Sequence, residues 1–281
     1  MNILPSDGEN SYVELFHFST GSFDISADHG LLTITNQNGV SSLLSEDDEA
    51  QTGTAGRLLR FASSYNFQGL RYILKYNEAP EGEPVINVYL AASSPVKNIA
   101  VDMKTGSACL KNLPFSCDYG VTTVDGDISI EGMKTDSVVN LNASFGEISV
   151  NQSDISACYV KTNHADVTAA QYGAGMLVCD LSESNLQLSL TAKIGDYRRF
   201  IKTESGSITV DGTKSQHKRE STDTGFGYLQ LVLTGNGSAT LASGDKPADS
   251  TLGISVEESL IEKELAKLDD SLGSGEIGLA K

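Results

Sequence analysis

The chain contains no tryptophan, so it offers no indole platform on which a sugar or a base could stack. Its four cysteines, Cys109, Cys117, Cys158 and Cys179, include no CxxC pair and are too sparse for a disulfide framework. The histidines His17, His29, His164 and His217 are scattered, without an H-E-x-x-H or H-x-x-x-H spacing. No metal site and no cofactor is therefore expected. Basic residues are scarce: 20 Lys and Arg stand against 37 Asp and Glu, a formal net charge of −17. Such a surface repels phosphate backbones and anionic headgroups, so nucleic acid is not an expected partner. No run of about 18 apolar residues occurs, and no transmembrane helix is predicted. The N-terminal stretch MNILPSDGENSYVEL lacks a basic segment followed by an apolar core, so no signal peptide is expected. The expected location is cytoplasmic or organellar if Met1 is the native start, and extracytoplasmic if the chain has been trimmed.

Against these absences stand 27 glycines and a phrase that returns about every twenty residues. It reads VTTVDGDISI at 121–130, LNASFGEISV at 141–150 and VKTNHADVTA at 160–169, with weaker copies at 101–110, 179–188 and 201–210. One apolar column runs Val101, Val121, Leu141, Val160, Cys179, Ile201. A second runs Ala108, Ile128, Ile148, Val167, Leu186, Ile208. Alternation within each half-phrase has the period of a strand with one buried face. A fixed period this short means that each copy is a unit unable to bury its own apolar side. Stacked as parallel coils about 4.8 Å apart, the copies set like residue over like and share a core. The predicted fold is mainly β: a parallel β-solenoid of about 20-residue coils, with Gly106, Gly126, Gly146 and Gly206 at the corner between the two strands.

The rest of the chain is read around that stack. FHFSTGSFDI at 16–25 follows the same phrase and is expected to be an early copy. Residues 26–100 form an antiparallel excursion, in which Pro80, Gly82 and Pro84 turn the strand at 70–76 into a hairpin with that at 85–92. Regular coils occupy 101–210. A last copy at 227–243, aligned through Val232, Thr234, Gly237, Ala239 and Leu241, follows an inserted loop with Lys214, His217, Lys218 and Arg219. The solenoid domain thus covers 1–252, and 253–281 form a C-terminal helix and a mobile tail. In the segment from Ser255 to Leu272, Ser255 and Glu258 make a capping box, and Val256, Leu260, Ile261, Leu265, Leu268 and Leu272 make a helical stripe. That helix either stops the open edge of the stack or docks a partner.

The phrases TTVDGDISIEG and ASFGEISVNQ, preceded by PVINVYLAASSPVKNIAVDMKTG, resemble a bacterial adhesin-like family of β-solenoid domains built from serial V-x-T-x-S-G-D-I-x-I coils. The resemblance spans about Phe16 to Ser243 and is most specific from Val85 to Val210. It implies a solenoid fold and, since many members are envelope or cell-surface proteins, an adhesive role. Its motifs are structural, so it carries over no catalytic residue.

One column invites a chemical reading. Ser107, Asp127, Glu147, Asp166, Asn185 and Ser207 stand one residue before the second strand of each coil. Carboxylates stacked about 5 Å apart repel unless solvated or bridged. Asp127, Glu147 and Asp166 are therefore the candidate acid–base residues of a glycan lyase or hydrolase. The competing reading is a solvated turn, because Gly-Asp and Gly-Glu are ordinary corner pairs. The expected function is non-catalytic: an acidic interaction or scaffold module that binds protein or glycan through the solenoid faces or inserted loops, with partner docking through Ser255 to Leu272 as a second surface.

Overall fold

The computed structural model describes residues 1–8, 11–16, 23–28, 31–36, 61–67, 70–77, 85–92, 98–113, 117–245 and 261–264. Alternating burial builds the strands of the regular coils. In Ile128–Glu131 the side chains of Ile128 and Ile130 are fully inside, while Ser129 and Glu131 lie at the surface. Each coil contributes two such strands, one to each of two parallel sheets, and their inward residues meet in one continuous core.

The first sheet runs Leu31–Asn36, Asn98–Thr105, Asp118–Asp125, then the early part of Lys134–Asn151, then that of Asp154–Ser182. The second runs Ala108–Lys111, Ile128–Glu131, the end of Lys134–Asn151, the middle of Asp154–Ser182, and Leu186–Leu190. Registers follow the expected columns: Val101 pairs with Val121, Val121 with Leu141 and Leu141 with Val160. Ala108, Ile128, Ile148, Val167 and Leu186 line up in the same way. The fold is a mainly β, mostly parallel solenoid with a short C-terminal helix at residues 261–264, and it is not a closed barrel. A third, short side of each coil brings Leu113, Met133, Ile155 and Tyr172 into the core. That side begins at a left-handed corner, where Asn112, Gly132, Gln152 and Gln171 have φ of 52°, 64°, 50° and 51°. Asparagine and glycine, at 112 and 132, tolerate this region better than most residues.

Both ends of the stack depart from chain order. Gly227–Thr234 pairs in parallel with residues 176–182 on one side and with Tyr197–Thr203 on the other. Ala239–Ala242 likewise lies between Leu186–Leu190 and Ile208–Val210. The last copy in sequence is thus the penultimate coil in space. Its first strand is also one residue out from the expected alignment: Leu231, not Val232, stands beside Cys179 and Ile201. A one-residue slip would turn Leu229, Leu231 and Leu233 outward, and all three are almost fully buried. The extra residue is taken up at the corner around Gly235. At the other end, Asn2–Pro5 inserts in parallel between Val85–Leu90 and Ala108–Lys111.

Three local expectations change. Residues 70–77 and 85–90 are not a hairpin, because Ser11–Phe16 lies between them, parallel to Leu70–Asn77 and antiparallel to Val85–Leu90. The early copy at 16–25 is not a parallel coil: Ser11–Phe16 belongs to that antiparallel contact, and Phe23–Asp28 pairs antiparallel with Leu31–Asn36. The region 26–100 is mixed, since Leu31–Asn36 joins the stack in parallel to Asn98–Thr105. The physical reason is shared: apolar alternation specifies which face a strand buries, but not its direction or its neighbour.

The C-terminal helix does not sit on the end of the stack. Ile261, 2 % exposed, packs on the outside of the first sheet against Ala157, Met176, Val178 and Tyr228. These residues alternate with core residues on the same strands, so they form a second, lateral core. Glu264 is buried beside it and accepts a hydrogen bond from the Tyr159 hydroxyl at 3.3 Å. The remainder of the segment from Ser255 to Leu272, and the tail after it, lie outside the described residues.

Candidate functional site

The corner between the two strands of each coil is where the acidic column lies. Here the chain leaves one sheet and enters the other, so the amide just before the second strand has no ladder partner of its own. The column supplies one. The Asp127 amide donates to Ser107 Oγ at 3.2 Å, and the Glu147 amide to Asp127 Oδ1 at 2.9 Å. Asp166 Oδ1 accepts from the Asn185 amide at 2.8 Å and from Asn185 Nδ2 at 3.2 Å. Asn185 Oδ1 accepts from the Ser238 amide at 3.2 Å, and Ser238 Oγ from the Ser207 amide at 3.0 Å. Ser107, Asp127, Asp166, Asn185 and Ser238 thus each cap the backbone of the next coil in space, much as Asp, Asn and Ser cap a helix N-terminus. That explains why the column mixes Ser, Asp and Asn: a short oxygen acceptor is the shared requirement, and charge is incidental.

The backbones are close at this corner. Gly126 has φ of 150°, and a Cβ there would stand 2.0 Å from the Gly106 carbonyl oxygen. Glycine meets both conditions at once.

The candidate residues Asp127, Glu147 and Asp166 therefore share one edge, and all three are exposed. Two of the three have an oxygen committed to the backbone of the following coil. The His164 ring stacks on Phe145, with centroids 5.4 Å apart and planes 21° from parallel. Phe145 pairs with Asp125 on one side and His164 on the other. Phe145 is 48 % exposed and Val124 47 % exposed. The Phe145–His164 stack thus lies on the corner beside the carboxylates of Asp125, Asp127, Glu147 and Asp166, with Val124 one residue out of its register. Sequence reading passed over Phe145, although a signal existed: its register equivalents Thr105, Asp125 and His164 are all polar, so the ring occupies a solvent-facing place.

Elsewhere the chemistry-bearing side chains are quiet. Cys117, Cys158 and Cys179 are buried and free, and Cys109 is half-buried. Burial pushes the Cys117 thiol up to about 11, against the smaller opposing effect of a hydrogen bond with Tyr119. Burial likewise raises Cys158 to about 12 and holds Cys179 well above its ordinary value. These thiols stay protonated, and the thiolate is the reactive form. The Tyr172 hydroxyl is buried without a well-aligned partner and leans on the Cys158 thiol. Burial and the nearby Glu264 carboxylate raise Tyr159 to about 12. Among the described residues no three His, Cys, Asp or Glu side chains converge on a point where a metal ion could sit. His17 and His29 lie outside the described residues. No described helix is long and apolar enough to cross a membrane.

Comparison with known proteins gives one match. A family model, Toastrack DUF4097, matches residues 82–228, from just before the strand Val85–Leu90 into the threaded coil. No curated protein and no solved structure matches the chain. The match covers just over half of the chain and includes all the regular coils, and it brings with it a fold but no adhesive activity. The chain belongs to the Toastrack DUF4097 family, a β-solenoid-like domain family of unknown function.

Proposed function

We propose that this protein is a non-catalytic interaction module, adhesin-like in that a rigid solenoid presents a fixed row of side chains to a protein or glycan partner. The observation that carries the reading is the exposed stack of Phe145 on His164, on the corner of two successive coils. Neighbouring strands hold it in register, so little side-chain or backbone entropy is lost when a partner binds. An exposed aromatic ring in such a stack is a typical anchor for recognition. The scaffold reading also accounts for the acidic column, whose oxygens serve the backbone of the stack. A second surface, the segment from Ser255 to Leu272, is partly committed to the protein itself through Ile261 and Glu264.

The test uses the full chain as bait, beside a folded Phe145→Ser variant. A partner or glycan recovered by the native chain and lost by the variant is the expected result. Equal recovery by both would remove the Phe145–His164 stack from the reading. Glycan cleavage that Asp127→Ala and Glu147→Ala abolish without unfolding the protein would overturn the non-catalytic assignment and establish a lyase or hydrolase in its place.

A further inference from the structure

The outermost coil at the C-terminal end of the stack is closed by residues 213–222, part of the insertion read in sequence as a loop. Arg219–Thr222 lies antiparallel to Tyr197–Thr203, setting Arg219 against Lys202 and Thr222 against Arg199. Thr213–Lys214 lies antiparallel to Ile208–Val210. The contacts continue around the coil. The Thr203 amide donates to the Lys218 carbonyl at 2.9 Å, and the Ser215 amide to the Ile208 carbonyl at 2.8 Å. At the corner, Lys218 Nζ donates to the Ser205 carbonyl at 2.6 Å and also to that of Gly206. The Arg219 guanidinium lies 5.0 Å from the centroid of Phe200, and Thr222 Oγ1 donates to the Tyr197 carbonyl at 3.2 Å. Both strands and the corner of this coil are therefore covered on their outward side.

We propose that residues 213–222 are an end plug, and that the edge beneath them is a docking surface for a second copy of the chain. A bare strand edge presents a row of unpaired amides and carbonyls that recruits another strand. Two identical edges related by a two-fold axis meet antiparallel, which is the direction in which Arg219–Thr222 already pairs. In the register that sets Ile201 against itself, Arg198 of each copy faces Glu204 of the other, whose Oε2 accepts from the Gly235 amide of its own chain at 2.7 Å and whose Oε1 is left to meet the guanidinium, so opposite charges meet twice. The association stops at two copies. An isologous contact consumes the same patch on both partners, and the far end of the stack finishes in different strands, Phe23–Asp28 and Phe61–Phe67.

The decisive protein is the full chain with residues 212–225 replaced by the turn 132–137, which joins two regular coils. Light scattering should give it twice the mass of the native chain, and hydrogen exchange should show residues 197–203 still protected. Adding Arg198→Glu to this chain should return the mass to the native value, because Glu then faces Glu204. A folded, shortened chain with the mass of the native protein would overturn the proposal, as would a dimer indifferent to Arg198→Glu. Should the shortened chain fail to fold, Glu220→Pro decides instead. Alternation of the antiparallel ladder from the Thr203–Lys218 bond places the Glu220 amide opposite Ile201, so proline loosens the plug at unchanged length. A folded Glu220→Pro protein that gains mass supports the plug, and one that does not overturns it.

Discussion

Two parts of the stack bury similar residues in the same columns and differ in how the chain reaches them. From residue 98 to residue 190 each coil lies on the coil before it in sequence. Beyond that point the chain skips a level, builds Tyr197–Val210, turns through the plug and returns to fill the gap with Gly227–Ala242. Corner contacts in the regular part join residues 20 apart, as between Asp127 and Glu147; in the threaded part Asn185 reaches Ser238, 53 residues away. Closing the longer loop costs only about 0.9 kcal/mol more by chain-entropy scaling. Burying a single leucine contributes roughly 1.5–3 kcal/mol, and Leu229, Leu231 and Leu233 all enter the gap. Thermodynamics thus tolerates the threading easily. What differs is independence: a regular coil is held by neighbours on both sides that are local in sequence, whereas Tyr197–Thr203 is joined to the stack through Gly227–Thr234.

The largest expected effect is a way to break that contrast. Leu231→Ala removes a fully buried side chain and should cost about 2–5 kcal/mol. Hydrogen exchange should show amides of 197–203 and 228–234 losing protection while those of 118–151 keep it. Ile130→Ala, in the regular stack, should cost a similar amount and lower protection everywhere. Uniform loss in both variants would mean that the two regions are one cooperative unit.

Corner geometry comes next. Gly126→Ala forces a Cβ against the Gly106 carbonyl at a positive φ and should cost about 1–3 kcal/mol. Gly195→Ala, where nothing lies within 4 Å, should stay within about 0.5 kcal/mol. Urea midpoints of the two variants measure the difference.

Alkali should then weaken the regular coils through their buried acids. The folded Cys158 thiol is raised from 9.0 to about 12, Cys117 from 9.0 to about 11, and Tyr159 from 10.0 to about 12. The folded state therefore holds these protons more tightly than the unfolded chain does. Their contribution is fully present below about pH 9 and is lost as pH rises toward 12. Guanidinium midpoints should fall across that window, and Cys158→Ala should flatten the slope. A thiol reagent at neutral pH should reach half-buried Cys109 before the three buried cysteines.

The smallest effect concerns the acidic column. Asp127→Ala removes the acceptor for the Glu147 amide and should cost about 1 kcal/mol, whereas Asp127→Asn keeps an oxygen and should cost a few tenths. Equal losses, read from thermal unfolding, would mean that charge rather than hydrogen bonding holds the corner.

The regular coils were legible because their alternation, their twenty-residue period and their corner glycines all point to one arrangement. The candidate site was legible in part. Asp127, Glu147 and Asp166 do share an edge, but the task of Asp127 and Asp166, capping the next coil, emerges only once the corner amides are seen to lack ladder partners. Phe145 was overlooked because the polar column it interrupts, Thr105, Asp125 and His164, lies between the two apolar columns that reveal the coils. The segment from Ser255 to Leu272 had the right helical stripe at Ile261, yet nothing in that stripe says whether it covers an end or a side.

The sequence by itself determined which residues face inward and at what spacing the coils repeat, because side-chain alternation and period are local properties of the chain. Tertiary structure alone decided the order of the coils, the place of Asn2–Pro5, the one-residue shift at Leu231 and the role of residues 213–222. The reason is that every parallel rung offers the same spacing and the same columns. A strand that fits one level fits the next, and only the competition of all the strands for a limited number of edges assigns each to its place.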